Sequence, residues 1–104
     1  MPRLKVCAVA DLAPGDARVV PVNEKEVAVF NVGGAFHAMD NACPHRGAPL
    51  SDGRLEGKTV TCPWHGWQFD VSTGSLVVNP ETRQTTYPVA VRDGCVYLSS
   101  KADA

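Results

Sequence analysis

Four side chains in the middle of the chain have the types and spacing of metal ligands. Cys43 and His45 form one pair, and Cys62 and His65 form a second pair, with sixteen residues between His45 and Cys62. Thiolate sulfur and imidazole nitrogen suit zinc and iron–sulfur centres. Prolines and glycines surround both pairs, which is typical of loops. The sequence therefore predicts one metal centre that is bound by two loops.

Two kinds of metal centre agree with this donor set. One is a structural zinc with tetrahedral coordination by two cysteines and two histidines. The other is a [2Fe–2S] cluster in which two histidines replace two cysteines on one iron. The C-x-H spacing of the first pair departs from the usual zinc-finger pairs. Each loop also supplies one Cys and one His, so each loop can give one ligand to each iron, which favours the cluster.

The remaining cysteines have no histidine beside them. Cys7 and Cys95 lie in predicted strands, so we expect both to be small buried apolar residues. Four cysteines would suggest disulfides in a short secreted chain, but the two Cys–His pairs favour metal binding in a reducing compartment. His37 lies in a predicted strand before the first loop, and we expect it to be a strand-face residue without a ligand role.

The rest of the chain predicts an all-β domain. Fifteen valines, no isoleucine, nine glycines and eight prolines favour short strands joined by turns. The turn signals Gly33-Gly34 and Asp93-Gly94 each predict a two-residue hairpin. Residues 40–57 lack sustained periodicity and predict a loop, and residues 76–84 are ambiguous. Predicted strands cover 4–9, 18–22, 26–32, 35–39, 58–62, 66–71, 85–92 and 95–99.

Length and charge limit the possible functions. A chain of 104 residues makes one domain, which leaves no room for a flavin, dinucleotide-binding or mononuclear-iron domain. A formal net charge of −1 gives no basic surface for nucleic acid. No apolar run approaches the length of a membrane span, and the first residues lack the apolar segment of a secretory signal. We therefore expect a cytoplasmic protein with no nucleic-acid or membrane partner.

The two loops resemble those of a known protein family. The runs Cys43-Pro44-His45-Arg46-Gly47-Ala48-Pro49-Leu50 and Cys62-Pro63-Trp64-His65-Gly66-Trp67 resemble the Rieske iron–sulfur family. The resemblance implies a Rieske fold over residues 1–104: an antiparallel β-sandwich or barrel-like domain with an inserted two-loop cluster-binding subdomain at about 40–75. It also implies one [2Fe–2S] cluster per chain, with Cys43 and Cys62 on the inner iron and His45 and His65 on the outer iron. The residues expected around the cluster are Gly47, Leu50, Trp64, Gly66, Trp67 and Pro80.

Departures from the respiratory members of this family are informative. Those proteins carry a further cysteine in each loop, and the two form a disulfide. The matching positions here are Ala48 and Trp64, so this bridge is excluded. The respiratory type also has Ser and Tyr hydroxyls that bond to sulfur, where this chain has Trp67 and Phe69. Fewer hydrogen-bond donors predict a potential at the low end of the Rieske range, about −150 mV rather than about +300 mV.

The resemblance implies a one-electron carrier rather than an enzyme. The chain is similar to the Rieske ferredoxins of bacterial aromatic-ring dioxygenases. Such a ferredoxin takes an electron from an NAD(P)H-dependent flavoprotein reductase and delivers it to a terminal oxygenase, and the resemblance implies no small-molecule substrate. One alternative is the small Rieske subunit of an assimilatory NAD(P)H nitrite reductase. A second alternative, from another class, is a zinc-stabilised interaction module.

Overall fold

The computed structural model describes residues 3–22, 24–42, 49–64 and 66–99. Within these ranges the helical segments are two 3-10 turns, Val9–Asp11 and Leu50–Asp52. No helix among these residues is long and apolar enough to cross a membrane.

The same ranges contain twelve strands, which form three antiparallel sheets and confirm the all-β prediction. The sheet orders are β1-β12-β11, β10-β4-β3-β2 and β5-β6-β7-β8-β9. The strands are β1 Arg3–Ala8, β2 Ala17–Val22, β3 Lys25–Val32, β4 Ala35–Asp40, β5 Arg54–Glu56, β6 Thr59–Thr61, β7 Gln68–Asp70, β8 Ser75–Leu76, β9 Asn79–Arg83, β10 Thr86–Tyr87, β11 Val89–Arg92 and β12 Cys95–Ser99.

Both predicted hairpins are confirmed. β3 and β4 pair up to Val32 and Ala35, with Gly33 and Gly34 between them at φ values of 57° and 99°. Asp93 and Gly94 connect β11 to β12 in the same way, also at positive φ. Two consecutive residues at positive φ are what a type I′ turn requires, and glycine adopts this conformation at little cost.

The predicted strand 85–92 is in fact two strands in different sheets. β10 pairs with β4, whereas β11 pairs with β12. Pro88 lies between them and has no N–H to contribute to a ladder. Its carbonyl accepts a hydrogen bond from the N–H of Ser99 at 3.0 Å, so the chain joins the second sheet at this residue.

β3 is the central strand of the fold and is buried on both faces. Val27 and Val29 belong to a core with Val96 and Leu98 of β12. Ala28 and Phe30 belong to a second core, which includes residues of the five-stranded sheet. Successive side chains point to opposite faces of a strand, so β3 forms a wall shared by the two cores.

The second core lies under the five-stranded sheet. Its largest buried members are Phe30, Met39, Leu50, Val60, Phe69, Val71 and Leu76. β5 lies in the region that lacked periodicity, since three residues are too few to show an alternating pattern. The ambiguous segment 76–84 supplies the end of β8 and all of β9. This sheet connects the segments that follow the two predicted loops.

Candidate metal centre

The structure describes one of the four predicted ligands. Cys62 follows β6, and only 2% of its surface is exposed. Its thiol takes part in no disulfide with the other described cysteines, Cys7 and Cys95. The remaining predicted ligands, Cys43, His45 and His65, lie outside the described residues, as does Gly47. The geometry of the site is therefore given by Cys62 and by the segments that lead into both loops.

The second loop is a tight connection between β6 and β7. The N–H of Cys62 donates to the carbonyl of Trp67 at 2.7 Å, and the N–H of Gly66 donates to the carbonyl of Cys62 at 3.1 Å. Thr61 and Gln68 are paired directly outside this turn. Gly66 has φ +73°, in the left-handed region that favours glycine. The sequence places a glycine there because the turn needs this backbone conformation.

Asn41 holds both ends of the first loop. Its carbonyl accepts from the N–H of Leu50 at 2.7 Å, and its own N–H donates to the carbonyl of Glu26 at 2.9 Å. Its side-chain Oδ1 accepts from the N–H of Ser51 at 2.8 Å. Asn41 is 2% exposed, so these bonds are shielded from water. Asn41, which precedes the segment 43–48, is thus bonded directly to Leu50 and Ser51, which follow it.

The bases of the two loops are in contact. A Cβ added to Gly53 would lie 2.1 Å from the carbonyl oxygen of Thr61, so only glycine allows this approach. Arg54 pairs with Thr61 in the next step of the ladder. Leu50, expected near the cluster, is completely buried in the core that also contains Cys62. The two loops therefore start from one shared core.

A third segment reaches the same end of the sheet. Val77 follows β8, and its N–H donates to the carbonyl of Gln68 at 2.8 Å. Because β8 runs antiparallel to β7, this connection lies at the end where the second loop joins β6 to β7. The backbone of Pro80, expected near the cluster, continues from here in β9.

Three large apolar side chains at this end of the sheet are exposed. We call Trp64, Val77 and Val78 the apolar tip. Trp64 is 60% exposed and Val78 is 85% exposed. Trp67 differs, because it is half-buried against the core and its ring is tilted 47° to Phe69 with centroids 6.4 Å apart. The two tryptophans thus have separate environments: Trp67 packs inward, and Trp64 faces solvent.

A polar cluster lies behind the first loop. The hydroxyl of Tyr87 donates to Asp40 Oδ1 at 2.6 Å, and Lys25 Nζ lies 3.6 Å from Asp40 Oδ2. Burial, together with the hydrogen bond and the negative charge of Asp40, raises the pKa of Tyr87 to about 12. The amide Nε2 of Gln84 donates to the carbonyl of Asp40 at 2.9 Å and also to that of Ala42.

Sequence reasoning missed Asn41, Gln84 and Gly53. Asn41 stands in a stretch without periodicity, and Gln84 is 8% exposed although glutamine is mostly a surface residue. Their importance depends on partners far along the chain, which no local pattern reveals. Gly53 has an ordinary φ, so its role is visible only when Thr61 is placed beside it.

The cysteines predicted to be structural lie away from these loops. Cys7 is opposite Val96 and buried, whereas Cys95 is opposite Ala8 and half-buried. Val96 and Cys95 are consecutive in β12, so Cys7 and Cys95 are on opposite faces of their sheet. His37 is half-buried in β4, opposite Phe30, as expected for a strand-face residue.

Comparison with known proteins decides the family. The model of the Rieske [2Fe-2S] domain matches residues 3–93. The chain belongs to the Rieske [2Fe–2S] family. It is 44% identical over 89 residues to the ferredoxin component of the naphthalene 1,2-dioxygenase/salicylate 5-hydroxylase systems of a Ralstonia species, covering 85% of this chain and 86% of the relative. It is 40% identical over 100 residues to ferredoxin CarAc of Metapseudomonas resinovorans, with 94% of each chain covered.

A solved structure gives the same result for the fold. The Rieske chain matches a chain of a complex of reduced oxygenase and oxidized ferredoxin in carbazole 1,9a-dioxygenase with a TM-score of 0.92. The identity is 38%, and the match covers 98% of this chain and 96% of the other. These relatives confirm the Rieske fold and the prediction of a ferredoxin, an electron-transfer protein. They support this function over the nitrite reductase subunit and the zinc module.

The family carries one [2Fe–2S] cluster per chain, and the described residues fit this group. A soft thiol, that of Cys62, is buried at the end of a strand and is not consumed by a disulfide with Cys7 or Cys95. The loop that follows is closed by backbone hydrogen bonds, which involve the N–H and carbonyl of Cys62 and not its sulfur. The base of the other loop rests on the same core.

Proposed function

We propose that this ferredoxin is the one-electron carrier of a ring-hydroxylating oxygenase system. The observation that carries the proposal is the meeting of three segments at one end of the sheet, where Cys62 is buried and the apolar tip is exposed. When bound, the cluster supplies reversible one-electron oxidation and reduction. The chain's own residues bind this group, fix its surroundings and present one side of it to another protein.

We propose Cys43, Cys62, His45 and His65 as the ligands, the cysteines on the inner iron and the histidines on the outer iron. Exposure along the second loop supports this order, since Cys62 is 2% exposed and Trp64 is 60% exposed. The chain thus leaves the core at the cysteine and reaches solvent before the histidine. We further propose that 1–104 is one Rieske domain and that about 40–75 forms its cluster-binding subdomain.

A matched set of histidine variants tests the ligands. His65→Ala and His45→Ala are expected to lose the Rieske absorption and electron paramagnetic resonance spectra, because neutral imidazole distinguishes this cluster from an all-cysteine one. His37→Ala is the control and is expected to keep both spectra. A His65→Ala protein that retains the wild-type spectra would refute the ligand set.

We propose a terminal oxygenase as the electron acceptor. The relatives are named as ferredoxin components of dioxygenase systems, and a solved complex pairs an oxygenase with a ferredoxin. The apolar tip supports an interface at the cluster end of the molecule, because exposed large apolar groups mark protein contact sites. A small contact suits transient redox partners.

We propose an NAD(P)H-dependent flavoprotein reductase as the donor and the cytoplasm as the location. A one-electron carrier needs a reductant, and a flavin converts the two electrons of a hydride into single electrons. Cytoplasmic NAD(P)H is the source that such a reductase uses. No small-molecule substrate is needed for this role.

Reconstitution tests the proposal. Holoprotein is mixed with a flavoprotein reductase, NAD(P)H and a dioxygenase, and substrate oxidation is followed with and without the ferredoxin. Trp64→Ala is expected to slow transfer to the oxygenase about tenfold, as loss of an exposed aromatic anchor does at interfaces. Val91→Ala is the control, because Val91 is an exposed valine on β11 in another sheet. A holoprotein that passes no electrons to any such oxygenase would refute the carrier function.

A further inference from the structure

Gln84 lies outside both predicted ligand loops, but its side chain reaches the base of the first. It follows β9 and is buried. Its Nε2 donates to the carbonyl of Asp40, 44 residues away along the chain, and to that of Ala42, 42 residues away. A carboxamide nitrogen carries two hydrogens, so these two bonds use its full donor capacity. Ala42 is the last described residue before the segment 43–48.

The backbone around Gln84 is held by other bonds. Its N–H donates to the carbonyl of Gly74 at 2.7 Å, and the carbonyl of Thr85 accepts from the N–H of Asp40 at 2.9 Å. A Cβ on Gly74 would lie 2.4 Å from the carbonyl oxygen of Gln84, so the two segments are in close contact. The backbone of Gln84 is thus held by its own bonds, and the donors of its carboxamide are directed at Asp40 and Ala42.

We infer that Gln84 is a positioning residue for the cluster. Its carboxamide fixes the base of the first loop against the segment that follows β9, and so holds Cys43 and His45 in place relative to Cys62 and His65. The inference rests on the ligand set proposed above. Gln84 acts through the carbonyls of Asp40 and Ala42 and touches no ligand that the structure describes.

The chemistry of the contact explains the residue type. The carboxamide nitrogen carries two hydrogens, so one atom can donate to two carbonyl oxygens on the same stretch of backbone. Methionine has a similar length but no donor, and an ionised glutamate only accepts hydrogen bonds. Loss of the amide removes the donor that the carbonyls of Asp40 and Ala42 share, which favours movement of the loop base.

The test compares Gln84→Met and Gln84→Glu with Gln68→Met in the holoprotein. Gln68 is a matched control, because it is exposed and the hydrogen bond of its amide to the Thr61 hydroxyl is long, at 3.4 Å. Loss of the cluster absorbance in excess iron chelator is timed beside loss of the far-ultraviolet circular dichroism. Both Gln84 variants are expected to lose the cluster about tenfold faster, equivalent to about 1.4 kcal/mol. Gln68→Met is expected to match wild type.

Comparison of the two signals separates positioning from folding. A positioning role predicts that cluster loss precedes unfolding in the Gln84 variants and that their electron paramagnetic resonance spectra shift. Cluster loss that only follows unfolding, or a rate equal to that of Gln68→Met, would overturn the inference. If the spectrum of the wild-type protein shows no imidazole ligation, the proposed ligand set is refuted, and this inference with it.

Discussion

Asn41→Ala is expected to destabilise the protein although it removes no metal ligand. The substitution leaves the backbone bonds of Asn41 with Leu50 and Glu26 in place. It removes the Oδ1 acceptor of the Ser51 N–H, a 2.8 Å bond in a partly buried setting. A buried donor left without a partner costs about 1–3 kcal/mol. The contact between Asn41 Nδ2 and Glu26 is 3.5 Å long, so we assign it little weight.

The expected loss is about 2 kcal/mol, which lowers the melting temperature of a domain of this size by about 10 °C. Urea denaturation of the holoprotein, followed by circular dichroism, measures the change. Asn79→Ala is the control, because Asn79 is exposed and its Oδ1 accepts a longer bond from the Glu81 N–H at 3.3 Å. We expect this control to change stability by about 0.5 kcal/mol or less. Equal stabilities for the two variants would show that Asn41 does not hold the loop ends.

Four further results are expected. Gly53→Ala forces a Cβ to 2.1 Å from the carbonyl of Thr61, so the bases of the loops must separate, and loaded protein is expected in lower yield than for Gly57→Ala. Tyr87 ionises less readily in the folded protein, because its pKa is raised to about 12. Its contribution to stability is therefore complete below pH 10 and is lost towards pH 12. Tyr87→Phe is expected to make the urea midpoint depend less on pH over this range. Burial raises the pKa of Asp70, but hydrogen bonds from the hydroxyl and N–H of Ser72, with the charge of Lys58 and the N–H of Thr73, together hold it below its usual value. The ionised carboxylate of Asp70 therefore stabilises the fold when the pH is above its usual pKa, and this contribution is lost as the pH falls. Ser72→Ala is expected to make the urea midpoint depend less on pH in the acid range. A redox titration is expected to give a midpoint of about −150 mV, and a clearly positive value would contradict the hydrogen-bond argument.

The sequence contained the local features and the family motif. Gly33-Gly34 predicts its hairpin because a type I′ turn needs positive φ at two consecutive residues, which glycine adopts readily. The pairs around Cys43 and Cys62 predict the metal type because thiolates and imidazoles in two loops suit few other centres. Both inferences depend on residues that are neighbours in sequence.

Features that depend on distant partners were not predictable. Pro88 separates β10 from β11, but which sheet each strand joins is decided by pairing with β4 and β12. Asn41 and Gln84 are polar residues of types that are mostly exposed, so the sequence alone does not indicate that both are buried. Their burial is tolerated because each polar group finds a partner there, and these partners are set by tertiary structure.

The two-sided burial of β3 couples the two cores of the fold. Val29 and Phe30 are consecutive, yet they belong to different cores. Movement of this strand out of one core also disturbs the other, so we expect the two cores to unfold in one cooperative step, as small domains usually do. We expect an unfolded copy to lose its cofactor end together with the rest of the domain and to expose both cores to proteases.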